Sequence, residues 1–175
     1  MWPQNHKQSC GSKRGEGGAA LVEFAIIVPV FMVMILGIVS GGAAYNRKIS
    51  LNNAVREASR YGATLSFSAS LPTNAGTVAT WLDAIEQAFL QASTGDISLS
   101  DPSASICVAY VDATSGITTA KRWPAGTTSS TPCFTDSLSQ TRVQVTGSRS
   151  SPIELGFNRI DAIVSGRAVT LFEAK

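Results

Sequence analysis

The sequence contains very little histidine: its one copy, His6, lies near the N-terminus. Histidine is the commonest metal ligand in proteins and the usual general base beside a serine or cysteine nucleophile. The chain also lacks a GxSxG, GxxxxGKS or GxGxxG pattern placed between a strand and a helix. We therefore expect no catalytic residues, no metal site and no cofactor, and we predict that the protein is not an enzyme and has no small-molecule substrate.

An excess of charge is also missing. The chain has 14 Lys and Arg against 12 Asp and Glu. Residues 1–18 hold three of the basic residues and one of the acidic ones, so 11 of each sign remain beyond them. Nucleic-acid-binding proteins concentrate positive charge on one surface. The basic residues here are scattered along the chain, and we predict no nucleic-acid partner.

Charge is absent altogether from residues 24–44, an apolar run of 21 residues. A helix of that length spans roughly 30 Å, the thickness of a bilayer core. Basic residues before the run favour a cytoplasmic N-terminus; Arg47 and Lys48 after it oppose this, but a long following domain is translocated largely regardless of flanking charge. We predict a single-pass protein of the inner or plasma membrane, in contact with lipid, with an extracytoplasmic C-terminal domain; a buried helix of a soluble protein is the alternative.

One acidic residue, Glu23, lies at the edge of this run, in GEGGAALVEFAIIVPV. A carboxylate beside hydrocarbon costs a few kcal/mol and usually marks function or has a partner. The alternative is that Glu23 simply reaches interfacial water. The preceding residues are polar, glycine-rich and basic, and we interpret 1–18 as a cytoplasmic leader and 19–44 as the transmembrane helix.

Three residues inside the helix bear on its packing. Pro29 removes one backbone hydrogen bond, and we expect a kink there. Gly37 and Gly41 form a GxxxG spacing, which lets a second helix approach closely in a membrane. The same spacing also arises by chance among small residues.

The remainder, residues 45–175, is predicted to form an α+β domain. Apolar residues at three- and four-residue steps continue the first helix to about residue 64 as a stalk, and residues 75–93 form a second amphipathic helix that Gly95 ends. Short strands are predicted at 97–99, 105–111, 141–146 and 163–171, in a small antiparallel sheet. Residues 112–140 are expected to be one long, exposed polar loop.

Two cysteines lie in this domain. Cys107 and Cys133 are predicted to form a disulfide, because disulfides persist outside the cytoplasm. Two buried free thiols are the alternative.

The segment from Arg14 to Ala63 closely resembles the TadE-like family of pseudopilins from Tad (tight adherence, Flp-type) pilus systems. The resemblance rests on RGxxGxxxVEFAxxxP, the apolar helix that follows, and AxREASRYGA near its end. It covers under a third of the chain. It implies a pilin-like fold and a non-enzymatic pseudopilin or minor pilin that takes part in pilus assembly.

The resemblance also implies a processing site and partners. A prepilin peptidase would cut after Gly18, before the Glu23–Phe24 pair, and create an ammonium at Ala19. Glu23 would neutralise that ammonium, on its own chain or a neighbouring one, and so set the register of assembly. The other partners implied are pilin and pseudopilin subunits and Tad inner-membrane platform proteins.

Two other interpretations stay open. The chain could be an uncleaved, single-pass envelope protein whose outer domain binds something unrelated. It could also be a secreted protein cut after Ala44, since Gly42 and Ala44 are small at the positions that signal peptidase reads. The second is disfavoured by the 23 residues that precede the apolar run and by the length of that run.

Overall fold

The computed structural model describes residues 16–65, 75–93, 95, 97–154 and 158–172, and the predicted α+β fold is confirmed. Two helices, α1 and α2, pack with a five-stranded antiparallel sheet in the order β3-β2-β1-β4-β5. The elements are α1 (Glu16–Thr64), α2 (Ala75–Ala92), β1 (Ser105–Val111), β2 (Thr118–Trp123), β3 (Thr127–Ser129), β4 (Arg142–Glu154) and β5 (Arg159–Leu171).

Helix α1 joins the apolar run and the stalk in one element of 49 residues, about 73 Å long at 1.5 Å per residue. It continues through Pro29 without interruption. It begins at Glu16, so the last residues of the predicted leader are helical, whereas residues 1–15 lie outside the described residues.

The core lies where the second half of α1 and helix α2 cover one face of the sheet. The spacing of the apolar residues explains this, because positions three and four apart share one side of a helix. The buried residues are Leu51, Ala54, Val55 and Ala58 from α1, Val78, Trp81, Leu82, Ile85 and Phe89 from α2, and Ile106, Val108, Tyr110, Val143 and Val145 from the sheet.

Two paired glycines let α1 lie close to this sheet. Gly147 of β4 and Gly166 of β5 are cross-strand partners. A Cβ at Gly147 would approach Leu51 Cδ1 to 2.9 Å and Phe89 Cζ to 2.6 Å, and a Cβ at Gly166 would lie 2.9 Å from Asn52 Oδ1 and 3.3 Å from the Leu51 carbonyl oxygen. The absence of side chains at this pair therefore sets the distance between helix and sheet.

The prediction of one long loop at 112–140 is wrong. That segment contains β2 and β3, and β2 pairs with β1. Strand β2 buries Ala120 and Trp123, while its charged residues have partners: Lys121 forms an ion pair with Asp83 of α2, and Arg122 donates to Ser129.

The prediction of a strand at 97–99 is also wrong. Ile97 is buried, but the chain turns there, and the Asp101 N–H donates to the Ser98 carbonyl at 3.0 Å. The Asp101 side chain accepts from the N–H and hydroxyl of Ser103. Such local hydrogen bonds satisfy the backbone without a neighbouring strand.

The two strands predicted near the C-terminus exist but are longer than expected. Strand β4 extends to Glu154 and β5 starts at Arg159. Pro152 is tolerated in β4 because beyond Ser148 that strand has β5 as its neighbour but no longer pairs with β1.

We expect Gly166→Val to destabilise the protein by about 1–3 kcal/mol, because the added methyl groups overpack the contact with α1. Thermal unfolding of the full chain in detergent measures this. The control is Ser165→Val on the exposed, opposite side of β5. Equal melting temperatures for the two variants would contradict the close approach at Gly166.

Candidate functional site: the exposed half of helix α1

The N-terminal half of α1 exposes almost all of its apolar side chains. It is long and apolar enough to cross a membrane, with a mean hydropathy of 2.7, and none of that stretch is buried against the rest of the protein. Soluble monomers rarely expose so large an apolar surface. The exposed residues include Leu21, Val22, Phe24, Ile26, Phe31, Met32, Met34, Ile35, Ile38 and Val39. This helix indicates a single-pass membrane anchor.

The predicted processing site lies in the first turn of this helix. Gly18 and Ala19 are both exposed there, and a Cβ added to Gly18 would meet no atom within 4 Å. The fold itself therefore places no steric demand for glycine at position 18. A requirement for glycine would come from an external partner that contacts this turn.

Glu23 is exposed one turn further along the same helix. Ala19 and Glu23 are four residues apart, so they lie on the same face, with roughly 5–6 Å between such positions. Helical side chains lean towards the N-terminus, which directs the Glu23 carboxylate back towards Ala19. Phe24 follows on the adjacent face and is 68% exposed.

Of the residues predicted for helix packing, Gly41 has surroundings that do not require a small residue. A Cβ added to Gly41 would meet nothing within 4 Å. Gly37 lies four residues before it and is half-buried, and Pro29 is exposed. The helix surface at Gly41 is thus open to a second helix.

The exposed half ends where the β4–β5 hairpin first touches α1. Ser40 Oγ donates to the Glu154 carbonyl at 3.0 Å, and Arg47 donates to Ser151 Oγ at 3.0 Å. Sequence reasoning missed this contact. The sequence signal for it was the alternation of apolar residues from Ile153 onwards, which the predicted strands did not include.

The predicted pair Cys107 and Cys133 is joined by a disulfide, with the Cα atoms 5.8 Å apart. It fastens the segment after β3 to the face of the sheet opposite α1. Gln144, fully buried in β4, accepts from the Cys133 N–H at 3.1 Å and donates to the Phe134 carbonyl and the Asp136 carboxylate. The segment 133–136 therefore covers this second face.

An ion pair completes that attachment. Arg142 contacts both oxygens of the Asp136 carboxylate, at 2.6 and 2.8 Å, and both side chains are nearly buried. Burial by itself would raise the pKa of Asp136, but hydrogen bonds from Gln144, Arg142 and the Leu138 N–H outweigh it and lower the pKa.

This lowered pKa predicts acid sensitivity. Because the folded protein holds the Asp136 proton less tightly than the unfolded chain, the carboxylate stabilises the fold above its ordinary pKa and loses that effect as the pH falls below about 4. We expect Asp136→Asn to unfold more easily at neutral pH and to lose less stability on acidification, measured by denaturant unfolding. Asp161→Asn, in an exposed ion pair with Arg159, is the control and should follow the wild type. If the stability of Asp136→Asn depended on acid pH as that of the wild type does, the lowered pKa of Asp136 would not be the cause of the acid sensitivity.

The comparisons with known proteins concern the same helix. No curated protein and no solved structure matches the chain. Residues 18–60, about a quarter of the chain, match the family model described as TadE-like protein. The match starts at Gly18, includes Glu23, and reaches into the part of α1 that packs on the sheet. The resemblance to the TadE-like family is thus confirmed for residues 18–60 of this chain.

Proposed function

We propose that the protein is a non-enzymatic pseudopilin or minor pilin that takes part in assembling a Tad (Flp-type) pilus. The observation that carries the proposal is the TadE-like segment, which contains the exposed apolar half of α1 and places Glu23 near its start. An apolar surface of this length needs lipid or other helices around it. A pilus subunit meets both, first in the membrane and then in a bundle of subunits.

In this proposal the N-terminus is cytoplasmic and residues 45–175 form the extracytoplasmic domain. A prepilin peptidase removes the leader after Gly18. The open surroundings of Gly18 support this step, because a narrow protease cleft explains a glycine that the fold does not need. The disulfide between Cys107 and Cys133 fits an extracytoplasmic location for the domain.

Cleavage would leave an ammonium group at Ala19, one turn before Glu23. Each charge alone is costly in a medium of low dielectric constant, whereas an adjacent opposite charge offsets much of that cost. The i,i+4 placement lets the two groups pair within one chain, and the exposure of Glu23 lets it reach a neighbouring chain. Pairing with a neighbouring chain favours one axial register between packed subunits, whereas pairing within one chain lowers the cost of both charges.

The open surroundings of Gly41, with Gly37 one turn before it, support helix contacts with the partners of this proposal. Small residues let helix backbones approach closely and gain van der Waals contact where the hydrophobic effect is absent. The partners are other pilin and pseudopilin subunits and the Tad inner-membrane platform proteins.

We expect Gly18→Leu to block processing, so that the protein from cells retains residues 1–18. Mass spectrometry of the mature N-terminus measures this, with Ala19 expected as the first residue of the wild type. The control is Gly42→Leu, since Gly42 is also exposed in α1 and free of close neighbours. A wild-type protein that begins at Met1 would instead support the uncleaved anchor, and one that begins at Tyr45 the secreted form.

We expect Glu23→Gln to insert into the membrane normally but to reduce pilus assembly by about tenfold or more, because it leaves the Ala19 ammonium without its partner. Membrane fractionation measures insertion, and the yield of sheared pili measures assembly. Glu57→Gln, an exposed acid further along α1, is the matched control. Wild-type assembly of the Glu23 variant would contradict the pairing.

A further inference from the structure

The β4–β5 hairpin extends well beyond the rest of the sheet. Strand β4 pairs with β1 as far as Ser148, whereas β4 and β5 continue to pair as far as Glu154 and Arg159. The last six residues of β4 therefore form a two-stranded ribbon about 20 Å long at 3.3 Å per residue. An isolated ribbon of this kind is marginally stable in water.

This ribbon runs along α1 towards its apolar half. Ser151 accepts a hydrogen bond from Arg47, and the Glu154 carbonyl accepts one from Ser40. The seven residues of helix between Ser40 and Arg47 and the three residues of strand between Ser151 and Glu154 each cover about 10 Å, so the ribbon lies alongside the helix over this distance. The end of the ribbon contacts Ser40, which lies four residues inside the C-terminal boundary of the predicted transmembrane helix 19–44.

The end of the ribbon combines apolar and charged side chains. Ile153 and Ile160 are cross-strand partners, and Ile160 is 50% exposed although it is large and apolar. Arg159 and Asp161 beside it are exposed and form an ion pair at 3.0 Å. Tyr45 of α1, five residues after Ser40, is 67% exposed. Aromatic side chains and arginine of this kind concentrate at the boundary between lipid and water.

Hydrocarbon cannot surround this end of the ribbon. Among the described residues, neither edge of the ribbon beyond Ser148 pairs with a further strand, and unpaired backbone groups are not tolerated in the lipid core. The charges of Arg159 and Asp161 add to that cost. We infer that the end of the β4–β5 hairpin, around Ile153 and Ile160, lies in the lipid headgroup layer on the extracytoplasmic side and fixes how deeply α1 sits in the membrane.

This inference moves the membrane boundaries along α1. If the hydrocarbon ends next to Ser40 and not at Ala44, the boundary shifts by about 6 Å. A core of roughly 30 Å needs about 20 residues, so its other boundary falls near Ala20. Glu23 then lies inside the hydrocarbon and not in interfacial water, which strengthens its need for the Ala19 ammonium. The inference rests on the membrane anchoring in the proposed function, but not on cleavage or assembly.

The test measures the depth of labelled positions in lipid vesicles. The full chain with Cys10→Ser is reconstituted, and a fluorophore is attached to Ile160→Cys, Ile163→Cys or Thr128→Cys while Cys107 and Cys133 stay joined. Thr128, exposed in β3 at the opposite edge of the sheet, is the control. The fluorescence is quenched by lipids that carry a spin label either on the headgroup or in the middle of the acyl chain.

We expect the headgroup label to quench position 160 severalfold more strongly than position 128, and the mid-chain label to quench it weakly. Ile163, three residues further from the hairpin end and 79% exposed, should give an intermediate value. Equal quenching at 160 and 128 would overturn the inference, and so would stronger quenching at 160 by the mid-chain label. Close contact between labels on two copies without lipid quenching would instead assign the surface to self-association.

The outcome is independent of the processing test. Lipid quenching at position 160 together with an uncleaved N-terminus would keep the hairpin contact and remove the pilus function. An N-terminus at Ala19 with no lipid quenching at position 160 would do the reverse.

Discussion

The structure depends on one constraint: the first half of α1 is an apolar surface that nothing else in the described chain covers. The core stops at Leu51, and towards the N-terminus from there the helix contacts the rest of the described chain mainly through the polar bonds at Ser40, Arg47 and Ser50. The α+β body is thus attached to half of a long helix. The other half is stable only where lipid or other helices replace water.

Two features at opposite ends limit where that half can sit. At the N-terminal end Glu23 resists hydrocarbon unless a positive charge is close. At the other end, burial in hydrocarbon is more unfavourable still. The edges of the β4–β5 ribbon carry backbone groups that the ribbon itself cannot hydrogen-bond, and Arg159 and Asp161 are charged. The apolar run alone is compatible with several depths, and the hairpin reduces that freedom.

The helices were predictable from sequence because their apolar residues recur at helical spacing, and because no charge interrupts residues 24–44. Strands β2 and β3 were not, since Lys121 and Arg122 look like loop residues until Asp83 and Ser129 are seen to bind them. The ribbon was missed for a related reason. The predicted strand ended at residue 146, just before Gly147, which fits there because of Leu51 and Phe89. Both are remote in sequence, and a single-sequence pattern does not reveal such contacts.

The position of the candidate site was visible in the sequence, but its coupling to the body was not. Gly18, Glu23 and Phe24 follow from a local motif, and α1 places Ala19 and Glu23 on one face by its own geometry. In the arrangement we infer, the depth of that face depends on Glu154, 131 residues after Glu23, through its contact with Ser40. Since α1 is one continuous helix, a shift at the hairpin moves Glu23 by the same distance along the membrane normal. The α+β body therefore affects whether Glu23 needs a positively charged partner, although in the described chain the body does not contact Glu23.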